Sequence, residues 1–302
     1  MRERIKIAIL GGDMRQLAVA RELTKSGFSV CLWGIDSVFC KESDDFLVGD
    51  WGEAVSGCSV LVLPLPASGD GVHVHCPLVN EAAELKLSRV LDLLPRDVLI
   101  LGGRFSPMVR GMLEEKGLRY VDYFLREEFQ IKNAVPTAEG AIAIAMNETP
   151  VTLSDANVAV IGYGRIGKVL ANKLKLLDAK VTVAARKSSD LALASCCGMA
   201  VLPIVVTDSQ SSLQALGTGY DVIFNTVPSW ILDRRVVESM RADSLVIDLA
   251  SAPGGIDLQA AKERGVRVIW ALSLPGKIAP YTAGKIIAQT VEQILREEGV
   301  AR

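Results

Sequence analysis

The sequence predicts an α/β protein built of two doubly wound parallel-sheet domains. Three observations carry that prediction. Short, predominantly apolar runs recur at residues 5–10, 59–63, 98–101, 158–161 and 245–249, the pattern of strands buried on both faces. Stretches with helical apolar spacing alternate with these runs; residues 165–177 place Ile166, Val169, Leu170, Leu174 and Leu177 on one side. Glycine-led turns directly follow the first strand of each half, at Gly11-Gly12 and at Gly162-Tyr163-Gly164-Arg165-Ile166-Gly167. With 302 residues and 50% hydrophobic composition the chain can bury two cores. The expected layout is a first domain over 1–133, a crossing helix over 134–150, a second domain over 151–281 and a last helix over 282–302 that returns to the first domain.

The second domain opens with the most informative stretch. Strand, glycine turn, helix and second strand over residues 158–185 are the context in which G-x-G-x-x-G acquires meaning. Gly162 permits the tight turn, Gly164 lets a pyrophosphate approach the backbone, and Gly167 lets the helix pack close. The N-terminus of the helix, carrying Arg165 and Ile166, offers N–H groups and a positive dipole end to phosphates. This reads as a Rossmann domain. After the second strand come Ala185-Arg186-Lys187-Ser188, with no carboxylate until Asp190. An NAD site places an acid there for the ribose hydroxyls; cations and hydroxyls suit a 2′-phosphate, so the cofactor is read as NADP. In doubly wound folds the turns after the fourth and fifth strands border the same crevice. Asn225, Thr226, Val227 and Pro228, then Ala250 and Ser251, are therefore expected along the nicotinamide half.

Composition removes several classes of function. Net charge is −2 with no basic tract, which argues against a nucleic-acid partner. No apolar stretch approaches about 18 residues, so no membrane span is expected. The opening MRERIKIAILGGD is read as a first strand rather than a signal peptide. Six cysteines lack C-x-x-C spacing, which reads as a reduced, cytoplasmic protein. His73 and His75 are the only histidines; with no third ligand nearby in sequence, no metal site is assigned.

The first domain imitates a dinucleotide half but lacks the third glycine. Asp13, Met14, Arg15 and Gln16 are bulkier than a phosphate-cradling loop prefers, so a flavodoxin-like or degenerate Rossmann domain without nucleotide is expected. Asp13, Arg15 and Gln16 fall at the C-terminal edge of its first strand, where open α/β sheets place ligands. Ser68, in a loop rich in proline and glycine, and Arg104, after the fourth strand, complete a candidate substrate set. Each residue also has a plain reading, as a helix cap, a turn former or a surface charge. Pro136-Thr137 is expected to open the crossing helix, with Thr137 as N-cap. Glu139 would then lie in its first turn, facing a cleft, as the candidate proton acceptor. Residues 274–280 are expected to form a rigid loop, and Thr282 to cap the last helix, whose apolar face carries Ile286, Ile287, Val291, Ile294 and Leu295.

The ordered set of motifs resembles the A-type subunit family of bacterial dipicolinate synthase. It comprises GGDMRQ at 11–16, LPLPASGDGV at 63–72, PTAEG at 136–140, GYGRIG at 162–167, AARKSSDLA at 184–192, NTVPSWIL at 225–232, DLASAPGGID at 248–257 and LPGKIAPYTAG at 274–284. Tyr163 stands where a smaller residue is expected in relatives, and its ring is expected near the pyrophosphate. The resemblance implies NADP-linked aromatisation of dihydrodipicolinate, or of its hydroxy-tetrahydro precursor, to dipicolinate. It further implies a small dicarboxylate substrate, the flavoprotein-like B-type subunit of dipicolinate synthase as partner, and a place in the mother-cell cytoplasm during sporulation. A homo-oligomeric core is compatible with it. Two other readings stay open from the residues alone: a different NADP dehydrogenase of shikimate or hydroxyacid type, and a non-catalytic NADP-binding regulatory protein.

Overall fold

The computed structural model describes residues 5–79, 85–207, 210–217 and 219–301. The chain divides into two compact units, Met1–Asn133 with Ala279–Arg302, and Ala134–Ile278.

The first unit runs β1 (Lys6–Leu10), α1 (Met14–Lys25), β2 (Ser29–Trp33), α2 (Trp51–Val55), β3 (Val60–Val62), α3 (Leu87–Asp92), β4 (Leu99–Gly102), α4 (Pro107–Glu115) and β5 (Arg119–Asp122). Its five strands are all parallel, in the order β2-β1-β3-β4-β5. That is the flavodoxin-like order, with its topological switch between β1 and β3. Alternate residues of one strand serve opposite cores. Ile7 and Ile9 join Leu17 and Leu23 on one face, while Ala8 and Leu10 join Leu87, Val90 and Val109 on the other. Both faces being covered is why the central strands β1, β3 and β4 read as nearly unbroken apolar runs.

The crossing helix differs from expectation. α5 spans Glu127–Glu148 without interruption, and Pro136 sits inside it. Thr137 is therefore not an N-cap, and Glu139 is not in a first turn. An interior proline forfeits one hydrogen bond and costs on the order of 3 kcal/mol. Here burial at helical spacing outweighs that loss: Phe129, Ala134, Ala138, Ala141 and Ala145 are each no more than 1% exposed. The boundary between the two units falls inside this helix, after Asn133.

The second unit continues with β6 (Asn157–Ile161), α6 (Arg165–Leu176), β7 (Lys180–Ala185), α7 (Ser188–Cys196), β8 (Ala200–Pro203), β9 (Val222–Asn225), α8 (Arg234–Ser239), β10 (Leu245–Asp248), α9 (Leu258–Arg264), β11 (Arg267–Trp270) and α10 (Leu274–Ile278). Its six strands are parallel in the order β11-β10-β9-β6-β7-β8, the doubly wound arrangement whose crevice opens between β6 and β9. The stretch expected as a rigid loop is thus the short helix α10. Gly140 of α5 accounts for its position: a Cβ there would stand 3.1 Å from Leu274 Cβ and 3.2 Å from Ile278 Cγ1.

The last helix, α11 (Pro280–Glu297), starts at Pro280 rather than at Thr282, and no side chain caps it. Proline at a first helical position sacrifices only an N–H that has no helical partner. Ile287, Val291, Ile294 and Leu295 are buried in the core that α1 also lines. Gly284 permits the close approach, since a Cβ would lie 2.4 Å from Arg15 O and 2.6 Å from Ala18 Cβ.

Candidate dinucleotide and ligand sites

The turn between β6 and α6 divides its work among three glycines, and each can be checked by the space a Cβ would meet. Gly162 has φ +92°, and a Cβ there would lie 2.4 Å from Thr226 Oγ1. At Gly167 a Cβ would stand 2.1 Å from Gly162 O, so only glycine lets α6 close on the turn. Nothing lies within 4 Å of a Cβ at Gly164. That position is empty in front of a twelve-residue helix with no side-chain cap, the arrangement that receives phosphate. Thr226 locks the floor by donating its backbone N–H and its Oγ1 to Ile161 O, each at 2.9 Å.

A cleft of about 130 Å³ opens here, lined by Gly162, Tyr163, Ala185, Arg186, Lys187 and Asp190 among others. It brings together the glycine turn, the end of β7 and, through Val227, the β9 turn. Arg186, Lys187 and Ser188 are exposed, with Lys187 preceding α7. Asp190, the first acid after β7, lies in the first turn of α7 with Oδ1 3.6 Å from Lys168 Nζ. The residues present therefore suit a dinucleotide: an open backbone cradle for the pyrophosphate and a cationic rim where the adenosine ribose belongs. Tyr163 lines this cleft and is at the same time part of the core. Its ring packs in the helix-side core at 3% exposure, and burial raises its phenol above the usual range, with Cys197 as hydrogen-bond partner. Arg165 is exposed and Ile166 half-buried in the first turn of α6.

The turns after β9 and β10 are held by a pair of which Asn225 is among the expected site residues and Asp248 is not. Asn225 is 0% and Asp248 1% exposed. Asn225 Nδ2 donates to Asp248 Oδ1 at 2.9 Å, and Asn225 Oδ1 accepts from Val227 N at 3.1 Å. Asp248 also accepts from Ala250 N at 3.0 Å and Gly255 N at 2.9 Å. One buried carboxylate thus ties both turns together, positioning Val227 and Ala250 while Pro228 and Ser251 remain exposed. A carboxylate ending a wholly apolar strand is the available signal, because burying that charge demands donors around it.

In the first unit, Asp13, Arg15 and Gln16 come together at the end of β1. Asp13 caps α1 by accepting from Arg15 N at 2.9 Å. The Arg15 guanidinium grips the same carboxylate through Nε at 2.9 Å and Nη2 at 2.8 Å, and Nη2 also reaches Leu65 O at 2.6 Å. Arg15 is thereby committed to the protein itself. Ser68 is spent on its own loop, accepting from Gly71 N at 2.8 Å and donating to Asp70 at 3.0 Å. Arg104 is exposed at φ 57°, and its backbone N–H goes to Asp122 Oδ1 at 2.9 Å. Asp122 is another strand-end carboxylate missing from the expected set; it also accepts from Phe105 N at 2.9 Å and Phe124 N at 3.0 Å. His73 Nδ1 lies 2.7 Å from Asp70 Oδ2. Burial lowers the pKa of His75, favouring the neutral imidazole. Among the described residues no three His, Cys, Asp or Glu are grouped to hold a metal, and no helix is long and apolar enough to cross a membrane.

Glu139 is exposed and ion-paired with Lys173 at 2.8 Å. Thr137 is buried, at 9% exposure. Neither stands at a helix start, the feature that recommended them.

Comparison with known proteins agrees with this geometry. Residues 6–124 match the family of the N-terminal domain of the dipicolinate synthase A-type subunit, and residues 130–297 match "Alanine dehydrogenase/PNT, C-terminal domain". The dipicolinate synthase A-type subunit of Bacillus subtilis (strain 168) is 34% identical over 304 residues, covering 97% of this chain and 96% of the relative. The crystal structure of its counterpart from Bacillus halodurans superposes with a TM-score of 0.87 at 30% identity, covering 97% of this chain and 99% of that one. An L-alanine dehydrogenase, at 15% identity and a TM-score of 0.68 over 97% of this chain and 90% of that one, shares the fold alone. The chain belongs to the family of dipicolinate synthase A-type subunits.

Proposed function

We propose that this chain is an NADP-dependent oxidoreductase that aromatises dihydrodipicolinate, or its hydroxy-tetrahydro precursor, to dipicolinate. The observation that carries the cofactor is the open Gly164 cradle followed by Arg186, Lys187 and Ser188 with no acid at the end of β7. The substrate rests on family membership. NADP, when bound, supplies the two-electron oxidant. The chain's own part is to bind and orient. Gly162, Gly164 and Gly167, with Arg165 and Ile166, shape the phosphate cradle, and Ala185 to Ser188 meet the adenosine ribose with its 2′-phosphate. Asn225 to Pro228, Ala250 and Ser251 border the nicotinamide half, fixed by the Asp248 network.

Loss of a hydride and a proton from the dihydro ring yields the aromatic pyridine, whose stability favours the forward direction; the hydroxy-tetrahydro precursor must in addition lose water. In the first unit the substrate set is Asp13, Arg15, Gln16, Ser68 and Arg104. Of these, Arg104 has a side chain at the surface and Gln16 an amide not engaged elsewhere. Proton transfer is assigned to neither Thr137 nor Glu139, because α5 runs through both positions and Glu139 is paired with Lys173. The reading includes a flavoprotein-like B-type partner and a mother-cell cytoplasmic setting, both drawn from the family; a homo-oligomeric core is consistent with it. The test is co-purification with the B-type partner of the same organism, then assay on freshly made dihydrodipicolinate precursor. Appearance of NADPH absorbance together with dipicolinate is expected. NADPH binding without turnover by the two-subunit complex would overturn the enzymatic reading in favour of a regulatory role.

A further inference from the structure

Among the described residues, the buried side-chain polar atoms lacking a hydrogen-bond partner are Nε2 and Oε1 of Gln16 and Nε2 of His73. Gln16 alone of the two is deeply buried, at 1% exposure, so its whole amide is withheld from water. Buried amides are almost always paired, and one left unpaired costs stability that an apolar side chain of the same shape would not. Such a group is retained at a cost to the fold, which points to a ligand.

The placement agrees. Gln16 lies in the first turn of the twelve-residue helix α1. A Cβ at Gly12 would stand 2.1 Å from Gln16 Cγ and 3.1 Å from Pro64 Cβ. The stem therefore lies back across the β1 turn towards the β3 turn, at the switch point of the five-stranded sheet, where such sheets take ligands. The charges around it are already satisfied. Asp13 and Arg15 neutralise each other through a forked pair, Arg15 is further tied to Leu65 O, and burial holds His75 towards its neutral form. What remains unspent is a neutral amide with a donor and an acceptor side by side.

We infer that Gln16 is the ligand-reading group of the first unit and selects the oxidation state of the ring. This inference rests on the dipicolinate reading above. Nε2 donates to a ring carboxylate, and Oε1 accepts from an N–H beside it, as an enamine, iminium or amine provides. The aromatic product has an acceptor-only ring nitrogen. It satisfies Nε2 alone and leaves Oε1 orphaned, so the reduced ring in its enamine, iminium or amine form is held more tightly and the product leaves more readily.

The test uses the full chain and two probes, piperidine-2,6-dicarboxylate, which carries the N–H, and pyridine-2,6-dicarboxylate, which does not. Calorimetric affinities of both are compared between the native protein and Gln16→Met, a near-isosteric apolar replacement. Comparing the two probes across the same pair of proteins cancels their difference in overall charge. The native protein is expected to favour the piperidine acid, Gln16→Met to reduce that preference about 3- to 10-fold, and the ligand-free variant to melt at or above the native temperature. An unchanged preference with both probes bound overturns the Gln16 role and leaves the dipicolinate reading standing. Failure of the native protein, alone and in complex with the B-type partner, to bind either probe overturns both. A lower melting temperature in Gln16→Met and also in Gln16→Leu, with the preference intact, makes the amide a structural group and overturns the inference.

Discussion

The two glycine-led turns of this chain begin alike and end as opposites. Each follows the first strand of a parallel sheet and opens a twelve-residue helix. In the first unit the helix is capped by Asp13, and the space over Gly12 is filled by the Gln16 stem. In the second unit no side chain caps the helix and the space over Gly164 is empty. Having no third glycine is only part of the difference. Asp13 stands where Gly164 does and Gln16 where Gly167 does; Asp13 takes an N–H that a pyrophosphate would take, and the Gln16 stem fills space at the turn. One turn has become filled and capped by its own side chains, and the other is open in front of its helix. The same topology therefore gives one filled turn and one open turn, and the difference lies in the side chains that follow the glycines.

The largest expected effect comes from closing the cradle. In Gly167→Ala the new methyl meets Gly162 O at 2.1 Å, a backbone atom that cannot step aside. Overpacking of this kind costs about 1–3 kcal/mol, and displacement of the turn should lower NADP affinity by two orders of magnitude or more, on the order of 3 kcal/mol. Calorimetry and a melting curve would read both. Next comes the rim: Arg186→Ala should weaken NADP about 10- to 100-fold, the worth of one charge-assisted contact, with little change for NAD. Equal losses for both cofactors would mean that Arg186 does not meet the 2′-phosphate.

The mirror experiment lies in the first unit. Gly12 has φ +93° and its Cβ would strike Gln16 Cγ, so Gly12→Ala should destabilise the protein by about 1–3 kcal/mol. NADP affinity measured below the melting transition should not change. The smallest effect is expected from Glu139→Gln. An exposed ion pair contributes about 0.2–1 kcal/mol, and turnover of the two-subunit complex should fall by less than a factor of ten. A loss of about 10²–10⁴-fold would return Glu139 to the role of proton carrier.

Much of this comparison was legible in the sequence, because strands buried on both faces leave a signature that tolerates few polar residues. The 158–161 run and the glycine spacing after it predicted β6, the turn and α6, and the missing third glycine marked the first unit as different. Three features were not legible, each for a physical reason. Pro136 signalled a helix start, but buried alanines on either side carry α5 straight through it. Tyr163, expected at the ligand, lines the cleft but is also a core residue, a double role that the motif does not signal. Asp248 and Asn225 stand 23 residues apart and meet only because β9 and β10 are neighbours in the sheet. Local pattern carries no register between distant strands, so a pair of this kind emerges only once the strand order is known. Gln16 was visible as a candidate, but that its amide is buried without a partner shows only in the folded chain.

The central claim, that an open turn and not the fold itself makes the dinucleotide site, is tested most directly by Gly164→Ala. Its backbone, at φ −80°, accepts any residue, and no atom stands within 4 Å of the new methyl. Reduced freedom of the unfolded chain stabilises by about 0.4–1 kcal/mol and a poorer helix cap opposes it by a similar amount. The melting temperature should therefore stay within about 3 °C of the native value. NADPH titrated into the folded variant should bind about 10- to 100-fold more weakly, a loss of about 1.4–2.7 kcal/mol, because the methyl occupies the space left for the pyrophosphate. Native-like NADPH affinity in a stable Gly164→Ala protein would contradict the account and place the dinucleotide elsewhere.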